Sequence, residues 1–185
     1  MLSPDKKYEE FAYSLDFLPR GKSVVIKGRE GPVVQAIGEE RLTLLELLAM
    51  ENQSFEVGEK VKIGKEGREK IISVLGKLTF EELTSEARGS LPGVVEALVK
   101  ANEPKYVAYF NDLQPLTPRL HGLELIPGIG KTFMMEIISM REKQPFSSFE
   151  DIQSRVGLRE PSKMVAKRIV EELSGGSRIS LFVKK

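Results

Sequence analysis

The hydrophobic period of this chain changes near residue 80, and the change restricts it to folds in which strands and helices are segregated along the sequence. From Tyr8 to Leu78 the apolar residues fall mostly at strand spacing. Tyr13, Leu15 and Phe17 extend an i, i+2 series begun at Phe11, and residues 24–26, 33–37 and 42–48 are short apolar or β-branched runs set off by Gly21, Gly28, Gly31-Pro32 and Gly38. Residues 60–63 and 71–75 flank a glycine-bearing loop, although the second run also fits the start of a helix. Five or so strands in so short a stretch predict a small closed barrel of the oligonucleotide-binding (OB-like) kind, because closure removes sheet edges.

Beyond Phe80 the spacing is helical. Short helical elements are expected at 80–86 and 92–102, and residues 105–112 fit a helix ahead of the alternative, a short strand. Thr117 before Pro118 supplies an N-cap and a first-turn proline for a helix reaching Ile126. A second helix is expected at 131–143, with Phe133, Met134, Ile137, Ile138 and Met140 as its apolar stripe. Ser147-Ser148-Phe149-Glu150 is a capping box for a third, ending near Val156. Pro161-Ser162 opens a fourth that runs to about Leu173, and 178–183 reads as a late strand or extended tail. The expected class is therefore α+β: a β-barrel-like domain at 1–78, a helical connector at 79–115, and a helical domain with an extended tail at 116–185.

Composition excludes much chemistry. Among 185 residues there is no Cys and a single His, so disulfides, thiolate nucleophiles, zinc ribbons and multi-histidine metal sites are ruled out. No apolar stretch approaches the length of a membrane span, and the first 20 residues lack the apolar core of a secretory signal. A cytoplasmic protein with no membrane partner is expected. The formal net charge of +1 hides an asymmetry, −3 over residues 1–118 and +4 over 119–185.

One motif carries chemistry. Leu125-Ile126-Pro127-Gly128-Ile129-Gly130-Lys131 fits the pattern of two apolar residues, Pro-Gly, an apolar residue and Gly, and it resembles the turn of the helix-hairpin-helix motif. Two glycines permit a sharp turn and leave amides exposed at the next helix start, where the macrodipole favours a phosphate oxygen. Backbone amides of Gly128, Ile129 and Gly130 are the expected phosphate donors, with Lys131 as charge partner and Thr132 as hydroxyl donor. Such contacts position a backbone without reading bases. The bland alternative is a tight turn used only for packing. Asp151 stands 20 residues beyond Lys131, an interval at which glycosylases related through such hairpins carry a catalytic Asp. Here it falls inside a capping segment, so no catalytic role is expected.

Taken with the strand-rich front, Tyr13–Gly21 (Tyr-Ser-Leu-Asp-Phe-Leu-Pro-Arg-Gly), Lys62-Ile63-Gly64-Lys65 and the run from Thr117 to Gly130 resemble an archaeal domain-of-unknown-function family numbered 655. Its members carry an inferred RNA-binding label. That resemblance implies a β-barrel joined to a helix-hairpin-helix region and supplies no catalytic residues.

Lys62, Lys65 and Arg68, with Lys60 and Lys70 beside them, concentrate positive charge around one loop, although Glu59, Glu66 and Glu69 interrupt it. They form the second expected contact surface. Tyr8, Phe11, Tyr13 and Phe17 fit either stacking platforms or a core, and His121 lacks a general-base partner. The resulting expectation is a non-catalytic, cofactor-free nucleic-acid-binding protein, RNA ahead of DNA, with a protein–protein adaptor as the alternative.

Overall fold

Residues 8–184 are described by a computed structural model, and its contacts divide the chain into two units. The first comprises the residues up to Val94 together with those from Glu172 on; the second is Val95–Glu171. One boundary, between Val94 and Val95, lies within residues 79–115; the other, between Glu171 and Glu172, lies within the stretch 116–185 expected as one domain, because the last residues rejoin the amino-terminal unit.

In the first unit the strands are β1 (Phe11–Lys22), β2 (Glu30–Gly38), β3 (Leu44–Ala49), β4 (Lys60–Lys62) and β5 (Ile71–Lys77). They form one antiparallel sheet in the order β4-β1-β2-β3-β5. The strand count predicts a closed barrel, but β4 and β5 are the two edges of a curled half-barrel. Closure is not reached because β4 is only three residues long and pairs with the first residues of β1 alone.

Alternation along the strands gives the sheet two apolar faces. One carries Ala12, Val34, Ala36, Leu45, Leu47, Val61 and Ile71, with Phe17 and Phe55 packed against them. The other includes Leu15 and Gln35 and meets the chain around the start of α1 (Ser85–Ala101): Thr84 N donates to Gln35 Oε1 at 2.9 Å, and Ser90 Oγ to Leu15 O at 2.8 Å. Phe17 is where the i, i+2 series misleads. A bulge between Ser14 and Asp16 inserts Leu15 as an extra residue, which moves Phe17 to the face of Ala12 and an edge-on contact with Phe55 at 4.9 Å. The expected strand at 24–26 lies in the loop between β1 and β2, and the tail at 178–183 contains no strand.

The helix expected from Pro92 starts at Ser85 and takes Pro92 into its interior. In the second unit α2 (Glu103–Asp112) precedes a two-strand ribbon, β6 (Pro115–Thr117) and β7 (Leu120–His121). A 3₁₀ turn at Gly122–Leu125 then leads to α3 (Lys131–Lys143), α4 (Phe149–Val156) and α5 (Pro161–Leu173). The last three helices start and stop where capping and periodicity place them, save that the capping residue of α4 is Ser148 and its partner is Asp151. The helix expected from Pro118 to Ile126 is absent: Pro118 and Arg119 turn the ribbon instead, and four residues before the Ile126–Pro127 break allow a single turn.

Phe110, Ile137, Phe149, Ile152, Val165 and Ile169 are among the buried residues of this unit. Asn111 fixes the α3–α4 loop by clasping Phe146 through its backbone, accepting from N at 2.7 Å and donating to O at 3.0 Å. Arg155 caps the end of α3 on the carbonyls of Met140 and Gln144, both at 2.8 Å. Among the described residues no helix is long and apolar enough to cross a membrane.

Candidate nucleic-acid interface

The turn ahead of α3 is built from the 3₁₀ turn upward. His121 opens it: buried, it accepts the Leu123 amide on Nδ1 at 3.1 Å, while Glu124 Oε2 accepts the His121 amide at 2.8 Å. This reciprocal box ties off the start of the turn. Pro127 breaks it, and Gly128 turns back with φ +96°, a conformation that strains any residue with a Cβ. A Cβ there also meets Met164 Cε at 2.9 Å.

Gly130 is the N-cap of α3 and supplies no side-chain cap. The first intrahelical bond runs from Met134 N to Gly130 O, so the amides of Lys131, Thr132 and Phe133 have no carbonyl one turn earlier within the helix. The first turn of α3 contains no acidic residue, whereas α4 answers its own N-terminus with Ser148, Glu150 and Asp151. Lys131 and Thr132 are exposed beside these donors. Two of the expected contacts need amendment. The Ile129 amide donates to Ile126 O at 3.0 Å and its side chain is buried, so this residue holds the turn rather than facing a ligand. The Lys131 ammonium sits 2.9 Å from Glu124 Oε1, so an arriving phosphate competes with that carboxylate.

Two titrations follow from this geometry. The His121 amide and Lys131 hold the Glu124 carboxyl below its ordinary range. Burial, and secondarily the Arg141 cation, lower the His121 imidazole against the opposing effect of Glu124. A histidine held neutral in the fold contributes stability that is complete above its unfolded value of about 6.5 and is lost as pH falls through that value toward the lower folded one. The melting temperature is therefore expected to drop between pH 7.5 and 5.5, and His121→Asn, which keeps an acceptor for the Leu123 amide, to flatten that dependence. An unchanged slope in the variant rules out His121 as its source.

The second surface is also changed by its surroundings. Lys62, Lys65 and Arg68 come together with Arg41 and Lys77, which the sequence reading missed, around a groove of about 1140 Å³ on the half-barrel. Most of this charge is already engaged. Lys62 pairs with Glu10 at 3.1 Å, and Arg68 lies on the carbonyls of Ile63, Gly64 and Ile72, bracing β4 against β5. Beside them Lys60 pairs with Glu39 and Lys70 with Glu59. Among the described residues, the exposed Lys65 and Lys77 are the groove cations with neither an ion-pair nor a hydrogen-bond partner. Phe11 lies under the ammonium groups of Lys60 and Lys62, and Tyr13 is buried with its hydroxyl on Glu39, so neither is open for stacking. Asp151 accepts the Ser147 amide and pairs with Arg155 at 3.1 Å, as a helix-capping residue does.

A curled antiparallel half-barrel sheet, five helices and an uncapped helix start behind a two-glycine turn define a mixed α+β protein. The chain belongs to the family described as protein of unknown function (DUF655), which it matches over residues 8–184. It is 41% identical over 181 residues to the uncharacterized protein MJ0038 of Methanocaldococcus jannaschii, covering 97% of this chain and 82% of that protein. It is also similar to the crystal structure of Af1531 from Archaeoglobus fulgidus, a DUF655 protein, with a TM-score of 0.84 and 39% identity, over 95% of this chain and all of that one.

Proposed function

We propose that this is a non-catalytic, cytoplasmic nucleic-acid-binding protein that takes the phosphate backbone at the N-terminus of α3, largely without regard to sequence. The observation that carries the reading is a helix start with open first-turn amides, no side-chain cap and no first-turn acid, flanked by the exposed Lys131 and Thr132. On this reading the Gly128–Gly130 turn works as the hairpin of a helix-hairpin-helix, with the 3₁₀ turn in place of the first helix. The half-barrel is an OB-like scaffold, and Lys62, Lys65 and Arg68 line a secondary groove. Placing RNA ahead of DNA rests on the family resemblance alone.

The test exploits the competition at Lys131. Lys131→Ala is expected to weaken binding to all sequences alike and to make the plot of log affinity against log salt shallower by about one unit. Glu124→Gln keeps an acceptor for the His121 amide while freeing the lysine, and is expected to tighten binding at low salt. Fluorescence polarisation with matched single- and double-stranded RNA and DNA reads both effects. If neither variant changes affinity, α3 is not the site; if the wild-type chain binds none of the four, the adaptor reading replaces this one.

A further inference from the structure

Among the described residues of the half-barrel unit, a cluster of uncompensated positive charge lies at the tip of the hairpin joining β1 and β2. Arg20, Lys22, Lys27 and Arg29 are exposed there, with Glu30 the one carboxylate in residues 20–30, and among the described residues none of the four cations has an ion-pair partner. The 60–70 cluster, which is richer in lysine by sequence, spends its charge on Glu10, Glu39 and Glu59.

Between those cations stands an apolar loop held in one shape. Val24, Val25 and Ile26 are 49%, 37% and 44% exposed. Glu46, fully buried on β3, accepts the Ser23 hydroxyl, the Val24 amide at 2.8 Å and the Val25 amide at 3.4 Å. Ser23 Oγ in turn accepts the Ile26 amide at 2.7 Å, and Ser23 N donates to Arg29 O at 2.8 Å. Val25 lies against Gly76, where a Cβ would approach its Cγ1 to 2.6 Å. A buried carboxylate therefore fixes the loop backbone, and Val24 and Ile26 are left facing outward.

We infer that this tip is a second nucleic-acid contact, in which Arg20, Lys22, Lys27 and Arg29 take phosphates of a helical duplex and Val24 and Ile26 wedge against its sugars and bases. The ligand class rests on the proposed function; the site is separate from α3. Charge complementarity selects a polyanion. The tip contains no aromatic ring on which an unpaired base stacks, whereas aliphatic wedges flanked by cations are a means by which proteins engage the minor groove of a DNA duplex. Two half-exposed side chains offer about seven side-chain carbons, far less than the single acyl chain that anchors a protein only marginally to a bilayer, so a membrane is the weaker fit.

The experiment measures binding of the full chain to a 16-base-pair DNA duplex, to the matching RNA duplex and to one single strand of each across a salt series, with vesicles of phosphatidylserine and phosphatidylcholine as a parallel arm. All variants are at exposed positions and are checked for unchanged melting. Lys27→Gln/Arg29→Gln is expected to weaken duplex binding at least tenfold and to lower the salt slope by about two units. Ile26→Ser is expected to weaken it several-fold with the slope unchanged. Wild-type affinity in both variants, single-strand binding as tight as duplex binding, or vesicle binding that these variants abolish while duplex binding persists unaltered overturns the inference. If the tip variants bind as wild type while Lys131→Ala does not, the inference falls and the α3 reading stands; the converse removes α3 and keeps the tip; a wild-type chain that binds no nucleic acid overturns both.

Discussion

Gly130→Asp is expected to raise the thermal stability of this protein while reducing its nucleic-acid affinity at least about tenfold. The backbone at Gly130 is extended, with φ −91° and ψ −169°, and a Cβ built there meets nothing within 4 Å, so a side chain enters without strain. An aspartate at an N-cap accepts a first-turn amide and complements the helix dipole, which contributes a few tenths to about 1 kcal/mol over glycine. The same carboxylate occupies the place proposed for a phosphate oxygen. Losing a charge-assisted hydrogen bond of about 1.5–3 kcal/mol corresponds to a ten- to hundredfold weaker complex. The opposite signs make the result diagnostic, because damage to the fold lowers both quantities. A variant that melts higher and binds as tightly as wild type removes α3 from the interface. Gly128 is the poorer test position: its positive φ and its approach to Met164 confound binding with folding.

Glu46→Ala is expected to destabilise the half-barrel unit by about 2–4 kcal/mol. Glu46 is fully buried in a strand whose other five residues are also buried, and both carboxylate oxygens accept hydrogen bonds from the β1–β2 loop. Truncation releases the Ser23 hydroxyl and two amides and leaves a cavity between β3 and the loop. Removing a buried charge offsets part of the loss, which keeps the estimate below the sum of the individual bonds. Glu46→Gln is expected to cost less, since its amide retains one of the two acceptor oxygens. Urea denaturation followed by circular dichroism reads the difference. A change of less than about 0.5 kcal/mol in the alanine variant means that the carboxylate does not hold the loop, and the rigid tip proposed above loses its support.

Much of the fold is legible in local sequence. The strand-to-helix change near Phe80, the bounds of α3 and α4, the proline that opens α5 and the break at Pro127-Gly128 are each set by residues within a turn or two of one another. The misreadings share a cause. Phe17 changes face because β1 carries an extra residue relative to β2, a fact about pairing rather than about β1 itself. Val24-Val25-Ile26 looks like a strand by composition, yet it is drawn into a loop by Glu46, about twenty residues away. Thr117-Pro118 fits a helix start, but the ribbon formed by Pro115–Thr117 and Leu120–His121 claims it for a turn.

The candidate site divides in the same way. By itself the sequence determined the alternation of elements, the two-glycine turn, and the absence of cysteine and histidine clusters that excludes much metal and thiol chemistry. Only the tertiary structure decided which charges remain to meet a partner. Lys62 meets Glu10 and Lys60 meets Glu39 across strands, Arg68 is used to brace the sheet, and Lys131 is shared with Glu124, whereas the four cations of the β1–β2 tip have no ion-pair partner among the described residues. The physical reason is range: helix and strand periods and end caps are settled within a few residues, whereas the field a surface presents depends on which side chains folding brings within about 4 Å of one another.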